Sequence, residues 1–151
     1  MSGSASKFNV FLFFKLPSAW WCGVRLKSLN TSEAIVTVKH TWFTQNPFKS
    51  MFWAVQGMAA ELATGAMMID QIRTSGKNVS MLVANNNANF SKKATGKITF
   101  ICNDGHLIQS ALKATIASGE GETLWMKAIG KNEEGITVST FNFEWTIRLK
   151  K

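Results

Sequence analysis

The stretch NPFKSMFWAVQGMAAELATG, Asn46 to Gly65, sets one carboxylate, Glu61, among Met58, Ala59, Ala60, Leu62 and Ala63. A run this apolar is buried in the folded chain, and an ionised group buried without partners must shift its pKa, find hydrogen-bond donors or do chemistry. Gly57 and Gly65 stand at i−4 and i+4 from Glu61, so its helical face has room for a ligand or a second backbone. A polar tract follows at Asn85-Asn86-Asn87-Ala88-Asn89. Asparagine is a poor strand former, and these amides must be satisfied by a polar pocket or by solvent. His40 and His106 have no partners at ligand spacing and read as structural; no metal site is expected. Cys22 and Cys102 lack both the paired spacing of a metal knuckle and the density of a disulfide scaffold, which points to reduced, intracellular thiols.

These residues need a frame, and composition bounds it. A chain of 151 residues, 46% of them apolar, suits one compact domain over 1–151. With 17 Lys+Arg against 9 Asp+Glu the net charge is +8, which favours anionic partners. The basic residues are scattered without the aromatic interleaving of a strand-reading surface, so nucleic acid is not an expected partner. Phe8 to Phe14 resembles a signal-peptide core, but Lys15 interrupts it and Pro17, Trp20 and Trp21 follow where small cleavage-site residues belong. Met51 to Ile69 has the length of a membrane span, yet it carries Gln56, Glu61 and Thr64, and a central Glu is expensive in lipid. A buried core helix in a cytoplasmic protein is the expectation.

Hydrophobic period supplies the elements. Lys7 to Trp21 predicts an apolar helix closed near Pro17, followed by a short strand at Val24 to Lys27. Ala34, Val36, Val38, His40 and Trp42 share one face of a predicted strand. Pro47 suits the first turn of a long helix capped by Asn46 or Ser50 and running to about Thr74, with Ser75-Gly76 as its stop. Val79 to Ser91 and Lys97 to Asn103 read as an antiparallel pair joined by the Ala94-Thr95-Gly96 corner. A second helix carries Ile108, Leu112 and Ile116 at i+4 steps between Gly105 and Gly119. Thr123 to Ile129 and Ile136 to Leu149 flank the turn at Asn132 to Gly135, and Phe141, Phe143, Trp145, Ile147 and Leu149 alternate with polar residues. The order implies an α+β fold, an antiparallel sheet curled around one long central helix.

In this order of elements the chain resembles the hotdog-fold thioesterase superfamily, particularly its phenylacetate-pathway-like subgroup and an uncharacterised branch near it. The subgroup's helix motif runs Asn, Gly three on, His-Gly-Gly beginning six on, an acidic residue fifteen on and Gly nineteen on. Asn46, Glu61 and Gly65 match its first, acidic and last positions. Lys49, Phe52, Trp53 and Ala54 stand where the family has Gly, His, Gly and Gly. Asn89 to Phe100 is similar to the family's third-strand exit, an aromatic, a basic residue, a small turn and a new strand. The helix between Gly105 and Ser118 departs from the minimal hotdog and looks like the uncharacterised branch.

The resemblance implies hydrolysis of a medium-chain, long-chain or aryl acyl-CoA thioester at a dimer interface, with coenzyme A entering as part of the substrate and no separate cofactor. Glu61 would be the general base or nucleophile, and Asn46 would polarise the thioester. Trp53 and Ala54 would offer backbone N–H groups to the developing oxyanion. Asn85 and Asn87 would line the pocket, and Lys92 and Lys93 would meet coenzyme A phosphates. A homodimer or a dimer of dimers is implied. The replaced His-Gly-Gly leaves an alternative from another class, a hotdog protein that binds an acyl or coenzyme A ligand without hydrolysing it.

Overall fold

The structure, a computed structural model, describes residues 2–150, with side chains described from Ala5 onward. Two helices open the chain, α1 (Ser2–Lys15) and α2 (Pro17–Trp21). The sequence predicts one helix closing near Pro17, whereas Pro17 starts a second. Proline disfavours helical backbone at the preceding residue, so Leu16 is held at φ −134°, ψ 59°, and the ring takes the first turn of α2, where no N–H is needed.

Strands β1 (Arg25–Leu29) and β2 (Ala34–Lys39) follow. The strand expected to reach Trp42 ends earlier because Thr44 folds the chain back. Its hydroxyl accepts from the Thr41 N–H at 2.9 Å and donates to the Lys39 carbonyl at 2.8 Å, closing a 3-10 turn over Trp42–Thr44. Trp42 therefore leaves the buried face and is 83% exposed, not core.

The long helix α3 (Trp53–Ser75) begins six residues later than Pro47 suggested. Asn46 is the reason. Its Oδ1 accepts from the Phe48 and Ser50 N–H groups at 2.9 and 3.3 Å, building a tight turn with Lys49 at φ +60° that competes with helix formation. Gly76, left-handed at φ +66°, ends α3 as expected.

The remaining elements are β3 (Val79–Phe90), β4 (Lys97–Cys102), α4 (Gly105–Ser118), β5 (Glu122–Lys131) and β6 (Thr137–Leu149). All six strands join one antiparallel sheet in the order β1-β2-β4-β5-β6-β3. The expected β3–β4 pairing is not made: β3 lies against β6 at an edge, and β4 lies between β2 and β5. The connector between them is tied to other segments instead of folding on itself. Ser91 and Lys92 donate to the Val138 carbonyl, the Ala94 carbonyl accepts from Met51 N–H at 2.8 Å, and that of Gly96 from His40 N–H.

The sheet curls around α3. Ala59, Ala60, Ala63 and Ala66 are fully buried, and their small side chains let the inner face of β6, Phe141, Phe143, Trp145 and Ile147, pack close. At Gly65 an added Cβ would already touch the Trp145 ring at 3.3 Å. In α4, Ile108 and Leu112 are buried as expected, but Thr115 takes the next inward position and Ile116 turns out. Among the described residues no helix is long and apolar enough to cross a membrane.

Candidate functional site

The first turn of α3 has no side-chain cap. Phe52 enters in extended conformation, its N–H donating to the Thr44 carbonyl at 2.8 Å, and its own carbonyl takes the Val55 and Gln56 N–H groups. The N–H groups of Trp53 and Ala54 are too early in the helix to find a carbonyl one turn back, and among the described residues they have no other acceptor. The positive end of the helix dipole therefore opens here with two free donors.

Two shallow grooves meet at this turn and share Trp53 as a wall. The first, about 300 Å³, runs along α3 past Ala54, Gly57 and Met58 to Glu61, with Asn86 of β3 and the Phe141 and Phe143 rings of β6 opposite. Glu61 is half-buried, and among the described residues its carboxylate has no hydrogen bond or ion pair. Desolvation by the surrounding apolar groups raises its pKa above the usual carboxylate value. Nearby Thr64 is committed elsewhere: its hydroxyl donates to the Glu61 backbone carbonyl at 2.9 Å and accepts from the Trp145 indole N–H at 3.0 Å. The carboxylate is thus available to a ligand.

The asparagine tract is out of phase with the expectation. A β-bulge between Val83 and Asn85 breaks the alternation, so that Val83 pairs with Trp145 but Asn86 pairs with Phe143 and Ala88 with Phe141. Asn86, not its neighbours, faces the Glu61 groove. Asn85 and Asn87 lie on the other, exposed face, where Asn85 donates to the Glu144 carboxylate and Asn87 accepts from the Asn142 amide at 2.8 Å.

The second groove, about 380 Å³, brings together Asn46, Ser50, Gln56, Lys92 and Lys93 with Trp53 and Phe90. Asn46 is bound into its own turn, since besides its two backbone acceptances its Nδ2 donates to Ser50 Oγ at 3.1 Å and to the Met51 carbonyl at 3.3 Å. It neither caps the helix nor holds a free donor. Lys93 Nζ donates to the Phe48 carbonyl at 2.9 Å. Gln56 joins this groove although the sequence pattern alone does not mark it as a site residue. It is only 4% exposed, its Nε2 reaches the Met51 carbonyl at 3.4 Å, and among the described residues its Oε1 has no partner. Its signal in the sequence was the same as that of Glu61, a polar group inside an apolar run. His40 and His106 line neither groove, and no cluster of three or more His, Cys, Asp or Glu side chains occurs among the described residues.

An antiparallel sheet wrapped around a single long helix, with its grooves at that helix's first turn, is the hotdog fold. Residues 4–147 match a domain of unknown function, DUF4442, and the chain belongs to that family. Solved structures share the fold. A Pseudomonas aeruginosa protein of unknown function, described as a probable thioesterase, superposes with a TM-score of 0.80 at 17% identity, over 96% of each chain. A Chlorobaculum tepidum protein of unknown function gives a TM-score of 0.83 at 18% identity, over 97% of this chain and 94% of the other. The Escherichia coli PaaI protein from the phenylacetic acid degradation operon gives 0.70 at 15% identity, over 99% and 96%. No curated protein matches in sequence.

Proposed function

We propose that the protein is an acyl-CoA thioesterase acting on a medium-chain, long-chain or aryl acyl thioester, as a homodimer whose site is shared between subunits. The observation that carries this reading is the unpartnered, desolvated Glu61 carboxylate in a groove that begins at the free N–H groups of Trp53 and Ala54. Thioester hydrolysis needs these two components, a base or nucleophile and donors aimed at the oxygen that becomes negative. A raised pKa strengthens Glu61 as a base.

Within one chain the two components are separated along α3, because the rise of a helix puts Glu61 about 10 Å from Ala54. One carbonyl group cannot touch both. A two-fold dimer resolves this by setting Glu61 of the partner subunit against the helix start of the first. The apolar walls, Met58, Phe141 and Phe143, suit an acyl or aryl group. Lys92 and Lys93 in the adjoining groove suit coenzyme A phosphates.

Glu61 then takes a proton from water as it attacks the carbonyl carbon, or attacks directly to form an anhydride that water opens. In either course the C–S bond breaks, and the thiolate leaves and is protonated. The experiment is thiol release from acyl-CoAs of graded chain length and from an aryl-CoA, with wild type beside Glu61→Gln. Release by wild type that falls at least a hundredfold in the variant is expected; equal rates would remove Glu61 from the mechanism.

A second reading is favoured by one observation: Phe52 and the exposed Trp53 ring stand at the helix start that a thioester must approach. Under it the grooves retain an acyl or coenzyme A ligand without turnover. Stoichiometric retention of acyl-CoA with no thiol release over hours would select it.

A further inference from the structure

α1 and α2 present an apolar face that none of the described residues covers. A surface helix ordinarily turns its charged side to water. In α1 the inward positions are Ala5, Phe8 and Leu12, packed on the core, yet the outward ones include Val10, Phe13 and Phe14. Val10 is 59% exposed and Phe14 70%, and Trp21, at the end of α2, is 69% exposed. Phe13 stacks edge-on against Phe14 and Trp20, so these rings form one ridge.

Charge singles out the partner of this ridge. Residues 1–32 carry Lys7, Lys15, Arg25 and Lys27 and not one Asp or Glu; the first acid is Glu33. Lys7, Lys15 and Lys27 are exposed, and Arg25 lies over the Trp20 ring at 3.5 Å. A second copy docked on this ridge by two-fold symmetry would set cations against cations. A layer of anionic headgroups over hydrocarbon complements both the aromatic ridge and its basic border, and Phe and Trp side chains on a basic helix are the side chains that settle at a membrane interface.

We propose that α1 and α2 form a docking surface for anionic phospholipid membranes, with Val10, Phe14 and Trp21 entering the interface and Lys7, Lys15 and Lys27 meeting headgroup phosphates. The helix is already formed and anchored: Asn9, on its inner side, donates to the Leu26 carbonyl at 2.8 Å and accepts from the Leu26 N–H at 2.9 Å. Binding therefore requires no folding of the segment. α1 packs on β1, at the sheet edge opposite β3, so attachment leaves the β3 side and the grooves open to water.

The test is flotation of the full chain with vesicles of phosphatidylcholine alone or mixed with phosphatidylglycerol. Retention on the anionic vesicles is expected to exceed that on the neutral ones roughly tenfold or more and to fall with added salt. Lys15→Gln should weaken retention about fivefold. The double variant Phe14→Ser, Trp21→Ser should abolish it while the melting temperature stays at the wild-type value, and Val10→Ser serves as an independent variant of the same ridge. No retention on anionic vesicles at low salt would overturn the proposal, as would undiminished retention by the double variant. A halved molecular mass of the double variant, with no lipid binding by wild type, would assign the ridge to a second copy instead.

Discussion

Glu61 has two consequences that pull in opposite directions. Its pKa is raised by desolvation, so the folded state holds the proton more tightly than the unfolded chain does. The favourable contribution of the protonated form is fully present below the ordinary carboxylate pKa and is lost as pH rises through the higher folded value. Glu61→Gln, which cannot ionise, is therefore expected to melt higher than wild type at neutral pH and to show no such gain in acid; a pair of pH-resolved melting series checks this. In the activity assay the same pKa should appear as an acid limb, rates rising as Glu61 loses its proton, and the limb should disappear in the variant. Gln56 offers a complementary case. Its unpaired, buried Oε1 costs stability unless a ligand donates to it, so Gln56→Leu should keep or slightly raise the melting temperature while raising KM roughly tenfold. Glu61 was legible in the sequence because a charge in an apolar run has few bland explanations. Asn46 does not cap α3 as expected, because asparagine before proline serves a helix cap and an Asx turn equally well, and only the Ser50 and Met51 partners decide between them.

At the level of elements, most boundaries followed from period and punctuation, and those that did not trace to single side chains. β6 and α4 are close to what alternation and i+4 spacing predict, because each packs one face on the core. β3 shows the limit: its bulge inserts one residue where no glycine or proline marks it, and that residue reverses which asparagines face the groove. Partners distant in sequence were equally invisible. Gly105 opens α4 against the loop before β2, where an added Cβ would lie 1.9 Å from the Thr31 carbonyl oxygen, and Gln71 Nε2 bonds both Thr31 O and Gly105 O at 2.9 and 3.2 Å. Gly105→Ala must push backbone from backbone, and a loss of about 3 kcal/mol or more is expected in denaturant unfolding. The Asn9 clamp acts as a substitute strand residue on the outer edge of β1. Asn9→Leu would leave the Leu26 N–H and carbonyl without partners, at a cost of about 1–3 kcal/mol read from the same unfolding curves.

Over the whole molecule the two edges of the sheet are treated differently, and this difference bears on how a complete site would form. The β1 edge is closed by α1 through Asn9. The β3 edge, at the other end of the sheet, has twelve residues and no Lys, Arg, Asp, Glu or Pro among them. Such an edge lacks the usual protections against pairing with another chain, and Asn86 on it borders the Glu61 groove. Under the proposed function, edge-to-edge pairing at β3 brings each helix start to the other subunit's carboxylate, which a single α3 cannot do for itself. Mixing two inactive variants tests this directly. Trp53→Pro removes one of the free N–H groups at the first helical position, where proline is tolerated and Phe52 before it is already extended, and Glu61→Gln removes the base. If each site draws its donors from one subunit and its carboxylate from the other, subunit exchange between the two variants makes mixed dimers in which one site of the pair is intact. Activity should then recover to about a quarter of wild type, since half the dimers are mixed and each carries one working site of two. If donors and carboxylate act within one chain, every mixed dimer also lacks a complete site, and the mixture stays as inactive as its components.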